Sequence, residues 1–462
     1  MKALVLGLGV SGRSVVRYLH DRGVAVSVSE HRPRTELAAG ELALVEEMAV
    51  RLETGGHTER FLADADLVVA GPGVPMTQEV LEAARRRGIP VVGELALAAG
   101  NFPVPVIAVT GSNGKTTVTG LIGALLEASG RRVFVGGNIG RPLLDFFTDH
   151  VEADCAVLEL SSFQLERARG FRADIALLLN ITPDHLDRHG GMEGYAAAKY
   201  RIFAGQGPED VAILSGDDPL VMAADTGPAR RLVFGRASDC DAVTGGSRVM
   251  VRREDGAVVG FDLAATRLHS GVNRLNAAAA ILAALAAGCD PAAIAMGLAA
   301  FRPPEHRMTR VGSADGVTWI NDSKATNVGA VAAALASCDT PVVLIAGGRD
   351  KGGDFRLLRD PVVARVRLLV LMGEAAGIME QALGDLVPVV HAADMAAAVR
   401  AAAAGAKEGD TVLLAPACAS FDMFDSYEQR GRVFTRLVRE LLAGRAVPEN
   451  PVAGRAACGE ER

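Results

Sequence analysis

Two glycine-rich loops each connect an apolar run to a helical run, and they constrain the fold of this chain more than any other feature. The first follows the start of the chain and reads G-L-G-V-S-G over 7–12. The second reads T-G-S-N-G-K-T-T over 110–117. A strand, a glycine turn and a helix begin a βαβ unit, and repeated units predict a parallel sheet covered by helices. Backbone N–H groups at such helix starts bind phosphate, so the sequence predicts an α/β protein with two phosphate-binding loops.

The apolar runs fall into three groups separated by two breaks. Residues 98–105 contain Gly and two Pro, and residues 301–304 contain two more Pro. We therefore predict an N-terminal Rossmann-like domain over 1–95, a central P-loop-type ATPase domain with a mostly parallel sheet over 96–302, and a C-terminal Rossmann-like domain over 303–447. Short alternating runs at 241–268 predict an antiparallel hairpin. Residues 448–462 are small and polar, and we expect them to be disordered.

The predicted strands are short, mainly aliphatic runs that alternate with helical stretches. They are 3–8, 25–29, 67–70 and 90–92 in the first domain, 106–109, 156–160 and 175–179 in the second, and 317–320, 341–346, 367–372, 388–390 and 411–415 in the third. Near-continuous apolar runs such as 156–160 indicate strands that are buried on both faces of a sheet.

Composition excludes several classes of protein. A net charge of −7 leaves no basic surface that would attract nucleic acid or an anionic membrane. The 6 cysteines include no C-x-x-C pair, which indicates reduced thiols of a cytoplasmic protein. The N-terminus lacks a signal-peptide pattern, and the longest apolar run, 277–288, is shorter than the roughly 20 residues of a membrane span. We expect a cytoplasmic monomer that neither binds nucleic acid nor inserts into a membrane.

The second loop has the residues of an ATP site. Its backbone would cradle phosphate oxygens, Lys115 would reach the β- and γ-phosphates, and the Thr116 hydroxyl would bind Mg²⁺. The loop is one residue shorter than the general P-loop pattern, which requires a glycine where Val109 stands. The alternative, a glycine turn that only connects a strand to a helix, does not explain Lys-Thr-Thr at a helix N-terminus.

Candidate Mg²⁺ ligands follow two neighbouring predicted strands. Glu159 lies near the end of a buried strand, where an unpaired carboxylate is costly and a cation is its expected partner. His185 lies in the polar stretch 180–187, after the next strand. From the residues alone, His185 could equally be a hydrogen-bonded structural residue, and Lys199 reads as a solvated helical lysine.

Six separated motifs together resemble the Mur ligase family, in the right order and over nearly the whole chain. They are G-S-N-G-K-T-T (111–117), L-E-L-S-S-F-Q-L (158–165), N-I-T-P-D-H-L-D-R-H-G (180–190), N-D-S-K-A-T-N (321–327), A-G-G-R-D-K-G (346–352) and A-P-A-C-A-S-F-D (415–422). Within the family they are most similar to the members that add D-glutamate. The second and fourth motifs differ from those of sister ligases and of folylpolyglutamate synthase.

The resemblance implies a reaction and its cofactors. ATP would phosphorylate the carboxylate of UDP-N-acetylmuramoyl-L-alanine, and the amine of D-glutamate would attack the acyl phosphate. Lys115, His185, Lys199 and Lys324 would be the catalytic residues. Thr116 and Glu159 would hold one Mg²⁺, and His185 and Lys199, as a carbamate, a second. The carbamate replaces an ammonium group by an anionic oxygen ligand, which explains how a lysine can face a metal ion.

The resemblance also assigns the binding residues. ATP would contact the loop and three residues farther along the chain: Gly111, Ser112, Asn113, Gly114, Lys115, Thr116, Thr117, Asn273 (placed before the alanine-rich helix), Arg307 and Asp322. The UDP-sugar would contact the first loop, the residues after the next strands and the second motif: Gly9, Val10, Ser11, Glu30, Arg32, Gly73, Asn138, Ser161, Gln164 and His185. D-Glutamate would contact Thr326, Lys351, Ser420 and Tyr427.

Three positions depart from the family pattern, and three other functions compete. Val272, Thr309 and Tyr427 stand where the family often has histidine, glutamate and phenylalanine, which weakens individual assignments but not the reaction class.

An NAD-dependent dehydrogenase would explain only the first loop. Another amide ligase of the superfamily conflicts with the fourth motif. A nucleotide-binding protein without catalysis conflicts with the joint presence of the expected catalytic and metal-binding residues, which are Lys115, Thr116, Glu159, His185 and Lys199.

Overall fold

The structure, a computed structural model, describes residues 1–75, 77–268 and 270–444, and these form three sheets covered by helices. The predicted α/β class is therefore confirmed. The predicted tail, 448–462, and the end of the third predicted domain lie outside the described residues. The chain divides into two compact units, each described by itself below. The described residues of Met1–Ile181, His185–His269 and Arg274–Arg302 form the first, and those of Thr182–Asp184, Ser270–Asn273 and Pro303–Arg462 form the second.

The first sheet is parallel throughout, with the strand order β3-β2-β1-β4-β5. Its strands are β1 Lys2–Leu6, β2 Ala25–Glu30, β3 Arg51–Thr54, β4 Leu67–Ala70 and β5 Val91–Val92, and its helices are α1 Val10–His20, α2 Ala39–Glu47, α3 Glu79–Arg86 and α4 Glu94–Ala98. The strand order reverses between β1 and β4, and ligands of such sheets bind at the carboxyl ends beside the reversal. The first glycine loop follows β1, at that place.

The second sheet has the order β14-β13-β12-β11-β10-β9-β6-β8-β7. Its strands are β6 Val106–Thr110, β7 Val133–Gly137, β8 Cys155–Glu159, β9 Ile175–Leu178, β10 Val211–Ser215, β11 Arg230–Gly235, β12 Ala242–Gly245, β13 Arg248–Arg252 and β14 Val258–Asp262. The strand β13 pairs antiparallel with both β12 and β14, which confirms the predicted hairpin. The strand β6 lies between β8 and β9, so the phosphate loop begins between the ends of these two strands.

Eight α-helices accompany the second sheet in the described part of the sequence. They are α5 Lys115–Ala128, α6 Asp145–Thr148, α7 Ser162–Leu165, α8 Leu186–His189, α9 Met192–Tyr200, α10 Pro219–Met222, α11 Gly271–Ala286 and α12 Pro291–Ala300. One prediction is wrong here: Asn273 lies in the first turn of α11, not before it. The sequence prediction started this helix at its alanine run, but helical geometry extends over the polar residues that precede the run.

The third sheet, in the second unit, has the order β15-β16-β20-β17-β18-β19 and is parallel except for β15. Its strands are β15 Thr309–Ala314, β16 Val317–Asn321, β17 Val342–Gly347, β18 Val366–Met372, β19 Val389–His391 and β20 Thr411–Leu414, and its helices are α13 Val328–Ala336, α14 Arg359–Arg365, α15 Ala376–Leu383, α16 Met395–Gly405 and α17 Tyr427–Leu442. The carboxyl ends of β16, β20 and β17 are adjacent, so the loops that carry three of the motifs start side by side.

An aromatic cluster joins the first two sheets within the first unit. The ring of Tyr18 on α1 meets Phe147 edge-on at 5.5 Å, and Phe102 packs on Phe147 at 4.8 Å. Beside this cluster the Ser14 hydroxyl donates a 2.6 Å hydrogen bond to Asp145. These contacts fix the helix that follows the first glycine loop against the second sheet.

The sequence analysis made two predictions that concern all the described residues, one about the cysteines and one about membrane spans. Cysteines 155, 240, 289, 338 and 418, the five among the described residues, are buried and form no disulfide there. Among the helices that the structure describes, none is long and apolar enough to cross a membrane.

Candidate active site

A cavity of about 620 Å³ lies at the carboxyl ends of β1 and β4. Its lining includes five of the residues predicted to contact the UDP-sugar, namely Gly9, Val10, Ser11, Glu30 and Gly73. A sixth, Arg32, is bonded to Glu30 through its Nε atom at 3.1 Å. His31 and His57, which the sequence did not single out, line the same cavity. The structure thus brings the first group of predicted residues together, and their contact with substrate stays a prediction.

Glu30 is a buried, ionised acceptor at the wall of this cavity. Its carboxylate accepts a 2.6 Å hydrogen bond from the backbone N–H of Leu8 and further bonds from Arg32. Burial opposes ionisation, but the hydrogen bonds from Arg32 and Leu8 lower the pKa of Glu30 to about 2. The carboxylate therefore stays charged at neutral pH and holds the backbone of the glycine loop.

Two glycines of the first loop are needed for different physical reasons. A Cβ atom at Gly12 would lie 2.1 Å from the carbonyl oxygen of Gly7, so this glycine allows α1 to pack closely on β1. A Cβ atom at Gly9 would meet no described atom within 4 Å. Gly9 thus leaves open space at the N-terminus of α1, as a loop that admits a diphosphate close to its backbone requires.

The phosphate loop ends in the N-terminus of α5, as the sequence predicts. Gly114, the residue before the helix, has a φ of 87°, a left-handed conformation that favours glycine. Lys115 bends back over the loop and donates hydrogen bonds to the carbonyl oxygens of Gly111 at 2.8 Å and Ser112 at 2.9 Å. The ammonium group is therefore held at the position where phosphate groups would enter the loop.

Lys199 is buried against the same loop, although its sequence suggested a solvated helical lysine. Only 1% of the residue is exposed, and its Nζ atom donates a 2.7 Å hydrogen bond to the carbonyl oxygen of Gly111. The Nζ atom also lies 4.6 Å from the centre of the Tyr195 ring. The tertiary structure therefore places the two lysines Lys115 and Lys199 on one backbone oxygen.

Two residues that the sequence reasoning left unassigned hold the loop in place. The side-chain oxygen of Asn180 accepts a 2.8 Å hydrogen bond from the N–H of Asn113, and its side-chain nitrogen donates a 3.0 Å hydrogen bond to the Asn113 carbonyl. One amide therefore bridges both backbone groups. The Tyr195 hydroxyl bonds the Ser112 hydroxyl at 3.0 Å. The signal was present, because Asn180 directly follows a buried strand next to the loop, but spacing alone did not show which backbone it contacts.

Glu159 is a buried carboxylate with an unfilled acceptor. It ends β8, is 2% exposed, and its Oε1 atom accepts a 2.9 Å hydrogen bond from Asn138. Its Oε2 atom is buried and has no hydrogen-bond partner among the residues that the structure describes. A buried carboxylate oxygen without a donor requires a cation or a ligand, so this atom fits a Mg²⁺ site.

The second motif continues from Glu159 into the short helix α7. Ser161 caps this helix, and its N–H and hydroxyl both donate to the Oε1 atom of Gln164, at 2.9 and 3.0 Å. Gln164 is buried, with 4% of the residue exposed. These two predicted substrate residues therefore form one hydrogen-bonded pair.

His185 is exposed and has a φ of 54°, which is uncommon for a residue other than glycine. Its ring packs against Phe163 with the centres 4.9 Å apart. Across the described ranges no group of three or more His, Cys, Asp and Glu side chains could hold a metal ion by itself. Any Mg²⁺ site here therefore needs oxygen atoms from other groups, such as a threonine hydroxyl, a carbamate or phosphate.

In the second unit, Asp322 follows β16 and is buried. Its Oδ1 atom accepts the backbone N–H of Met308 at 3.1 Å. Burial raises the pKa of Asp322 to about 7, and the charge of Arg307 opposes this shift. Two predicted ATP residues of this unit, Asp322 and Arg307, are thus electrostatically coupled.

Four of the remaining predicted residues of the second unit form two contacting pairs, and the fifth, Ser420, is buried. Lys324 lies with its Nζ atom 4.0 Å from the centre of the Tyr427 ring, a cation–π contact. Lys351 donates a 3.2 Å hydrogen bond to the Thr326 hydroxyl. Ser420 is 3% exposed. The pairing of Lys351 with Thr326 supports their joint assignment to one ligand, which stays a prediction.

Arg430 is a buried residue that sequence reasoning missed. Its guanidinium donates to the side chain and carbonyl of Ser323, at 3.0 and 2.9 Å, and to the carbonyl of Cys418 at 3.2 Å. Burial lowers its pKa to about 10. The arginine thereby ties the loop after β16 to the loop after β20, and the only sequence signal is its position on the buried face of α17.

Three family descriptions match consecutive parts of the chain. The MurD-like N-terminal domain of Mur ligases matches residues 1–93, the Mur ligase middle domain matches 109–284, and the glutamate ligase domain of Mur ligases matches 306–418.

Curated relatives are similar over almost the full length. A UDP-N-acetylmuramoylalanine–D-glutamate ligase of Desulfotalea psychrophila is 49% identical over 447 residues, which cover 95% of each chain. The enzyme of the same name from Koribacter versatilis is 44% identical over 95% of this chain and 97% of its own.

Solved structures share the fold at lower identity. MurF ligase from Thermotoga maritima in complex with ADP superimposes with a TM-score of 0.60 at 19% identity, covering 91% of this chain and 96% of its own. A pseudomurein peptide ligase type C from Methanothermus fervidus has a TM-score of 0.58 at 19% identity, covering 89% and 96%. From the matching domains and the full-length relatives, the chain belongs to the Mur ligase family.

Proposed function

We propose that this chain is an ATP-dependent ligase that joins D-glutamate to UDP-N-acetylmuramoyl-L-alanine and releases ADP and phosphate. The reaction is a cytoplasmic step of peptidoglycan synthesis. Relatives that bear this activity in their names are 41–49% identical to the chain over about 95% of its length. The structural observation that carries the proposal is the convergence of Lys115 and Lys199 on the Gly111 carbonyl, at the start of a phosphate-binding helix.

The first chemical step would transfer the γ-phosphoryl group of ATP to the alanine carboxylate. A carboxylate oxygen attacks the γ-phosphorus as the bond to ADP breaks, and the product is an acyl phosphate. Two negatively charged groups must approach each other, and Lys115, already held over the loop, offsets their repulsion. The backbone N–H groups of the loop, oriented by Asn180, would bind the phosphate oxygens.

The second step would form the amide bond. The amine of D-glutamate attacks the acyl carbon, and the tetrahedral intermediate releases inorganic phosphate. Lys351 and Thr326, which contact each other, would hold the carboxylates of D-glutamate while its amine stays free. Lys324, over the Tyr427 ring, would face the transferred phosphate.

The residues present fit the predicted Mg²⁺ sites in their chemistry. Glu159 has a buried oxygen that no described residue bonds, and we propose that this oxygen and the Thr116 hydroxyl hold one ion. His185 and Lys199 would hold the second. When bound, Mg²⁺ neutralises charge on the phosphate oxygens.

The surroundings of Lys199 support the proposed carbamate. An ammonium group that is 1% exposed and shares its acceptor with the Lys115 ammonium is repelled by it and costly to bury. Carbamylation replaces this positive charge by a negative one and so turns the repulsion by Lys115 into attraction. The carbamate would then pair with Lys115 or with a cation.

A coupled ADP-release assay tests the proposed function. We expect ADP release only when ATP, UDP-N-acetylmuramoyl-L-alanine and D-glutamate are all present, with little turnover when L-glutamate replaces the D-isomer. Equal turnover with L-glutamate, or release that does not need the UDP-sugar, would contradict the proposal. NAD⁺ reduction in the presence of a hydroxy acid would instead support the dehydrogenase alternative.

A further inference from the structure

Glu94 is a buried carboxyl group that connects the two predicted ends of the UDP-sugar site. It is the first residue of α4, and only 4% of the residue is exposed. Its Oε1 atom accepts a 2.5 Å hydrogen bond from the Nε2 atom of Gln164. The Ser11 hydroxyl is its second polar side-chain neighbour. Ser11 lines the cavity of the first sheet, whereas Gln164 belongs to the motif that follows β8.

Both polar atoms of the Gln164 side-chain amide make hydrogen bonds. Its Nε2 atom donates to Glu94, and its Oε1 atom accepts both the N–H and the hydroxyl of Ser161. Because each amide atom has a partner, rotating the amide would break these bonds. The side chains of Glu94, Gln164 and Ser161 therefore form a hydrogen-bonded path to the end of β8, and Ser11 of the first glycine loop is a neighbour of Glu94.

The carboxyl group of Glu94 has a raised pKa and one oxygen atom without a hydrogen bond among the described residues. Burial raises its pKa, and the negative charge of Asp145 adds to the shift. The Oε2 atom is buried and accepts no hydrogen bond from the part of the chain that the structure describes.

We propose that Glu94 is a positioning residue for the UDP-sugar, which fixes the Ser11 hydroxyl and the Gln164 amide relative to each other. The diphosphate would be held at Ser11, and the muramoyl end at Gln164 and Ser161. A substrate that contacts both ends gains affinity only when the two sets of contacts are correctly spaced. The identity of the substrate rests on the proposed function, but the bridge itself rests on the geometry.

The bond between Ser14 and Asp145 provides a matched control. It also links α1 to the second sheet, it is 2.6 Å long, and it lies on the same helix as Ser11. Ser14 is not among the described residues that line the cavity of the first sheet. If attachment of α1 to the second sheet were all that matters, S14A would have the same effect as the loss of Glu94.

The test measures KM separately for each substrate in the full-length enzyme. We expect E94A to raise KM for UDP-N-acetylmuramoyl-L-alanine about tenfold, with kcat and the KM values for ATP and D-glutamate within about twofold. E94Q can accept from Gln164 and donate from its own amide, so it should stay within about twofold of wild type. S14A should also leave all three KM values within about twofold.

E94D is the second variant in case E94A does not fold. Its shorter side chain keeps the carboxyl group but cannot span the same distance, so we expect the same selective rise in KM. In the double variant E94A/Q164A, KM for the UDP-sugar should equal that of Q164A, because the bridge is already broken.

The outcomes separate this inference from the proposed function. Absence of wild-type turnover with the UDP-sugar would overturn the proposed function. Normal wild-type turnover with an unchanged UDP-sugar KM in E94A and E94D would overturn the positioning role alone. An equal rise in all three KM values, or the same rise in S14A, would also overturn it, because a merely structural role would have that result.

Discussion

Lys115 and Lys199 donate hydrogen bonds to the same carbonyl oxygen, that of Gly111, at 2.8 and 2.7 Å. They are 84 positions apart in the sequence (199 − 115) and lie on different helices, α5 and α9. Two ammonium groups on one acceptor are an unusual arrangement for a buried site, because their charges repel each other. The arrangement suits a site that receives triphosphate or in which one lysine is modified.

Lys199→Ala tests the carbamate. We expect the variant to lose at least about a hundredfold in kcat, since the loss of one charge-stabilising group in a buried site commonly costs that much. Short-chain carboxylic acids should restore part of the activity, because their oxygens can occupy the place of the carbamate. The coupled ADP-release assay, run with and without added acetate, measures both effects.

The control for this experiment is Lys407→Ala, which removes an exposed lysine of the second unit. It should retain wild-type activity and show no response to the added acid. Near wild-type activity in Lys199→Ala would mean that the carbamate assignment is wrong.

Glu159→Gln tests the oxygen atom that lacks a donor. The amide keeps an acceptor for Asn138 but removes the charge, so we expect the Mg²⁺ concentration for half-maximal activity to rise at least about tenfold. Without Mg²⁺ the variant should be as stable as wild type or more stable, because an uncompensated buried carboxylate is costly. Activity titrations with Mg²⁺ and thermal unfolding with EDTA measure the two effects.

Glu152→Gln is the matched control, since Glu152 has a side chain that is 86% exposed and pairs with Arg132 at the surface. Its Mg²⁺ requirement should not change. A Glu159→Gln enzyme with the wild-type Mg²⁺ requirement would exclude Glu159 as a metal ligand.

Gly9→Ala and Gly12→Ala form a pair that separates binding from folding. A Cβ atom at Gly12 would collide with the Gly7 carbonyl, so we expect Gly12→Ala to lower the free energy of unfolding by about 1–3 kcal/mol. A Cβ atom at Gly9 has open space, and the residue has a φ of −64°, so Gly9→Ala should fold normally. Its methyl group would instead occupy the space left for the diphosphate and raise KM for the UDP-sugar.

Thermal unfolding and substrate kinetics on both variants decide this prediction. Gly9→Ala with an unchanged KM for the UDP-sugar would indicate that the ligand does not approach this backbone.

Asp322→Asn should change how stability depends on pH. The folded-state pKa of Asp322 is about 7, above the ordinary value of 3.8 for an exposed carboxyl. Between pH 4 and 7 the unfolded chain therefore loses its proton first, so the free energy of unfolding should fall as pH rises through this range and level off above it. Asparagine cannot ionise, and its carbonyl still accepts from the Met308 N–H.

Denaturant unfolding at several pH values measures this effect. The free energy of unfolding should decline less between pH 4 and 7 in Asp322→Asn than in wild type, by the contribution of one titrating group. Parallel stability curves for the two proteins would show that Asp322 ionises normally in the folded state.

Much of the fold could be predicted because it depends on local pattern. The buried strands β6, β8 and β9 and the antiparallel hairpin lie within a residue or so of their predicted positions or inside the predicted range. The strand Arg51–Thr54 was missed because it is a polar edge strand without an apolar run. Strand β15 was also missed, since its Thr, Arg, Gly and Ser residues read as loop.

Individual roles were less predictable than the site as a whole. The loop residues around Lys115 and the carboxylate of Glu159 follow from spacing and strand order. Glu94, Asn180 and Arg430 were missed, because a lone polar residue carries no periodic signal. The side chain of each has a hydrogen-bond partner that is 67–107 positions away in the sequence, namely Gln164, Asn113 and Ser323.

The sequence alone determined the alternation of strands and helices, the positions of both glycine loops and the family, since these depend on neighbouring residues and on motif order. Only the tertiary structure decided which polar groups meet. It buried Lys199 on the carbonyl of Gly111 and joined Glu94 to Gln164. It also left one oxygen of Glu159 without a donor among the described residues. The physical reason is that parallel strands bring distant segments to one sheet edge, where burial then requires each polar atom to find a partner.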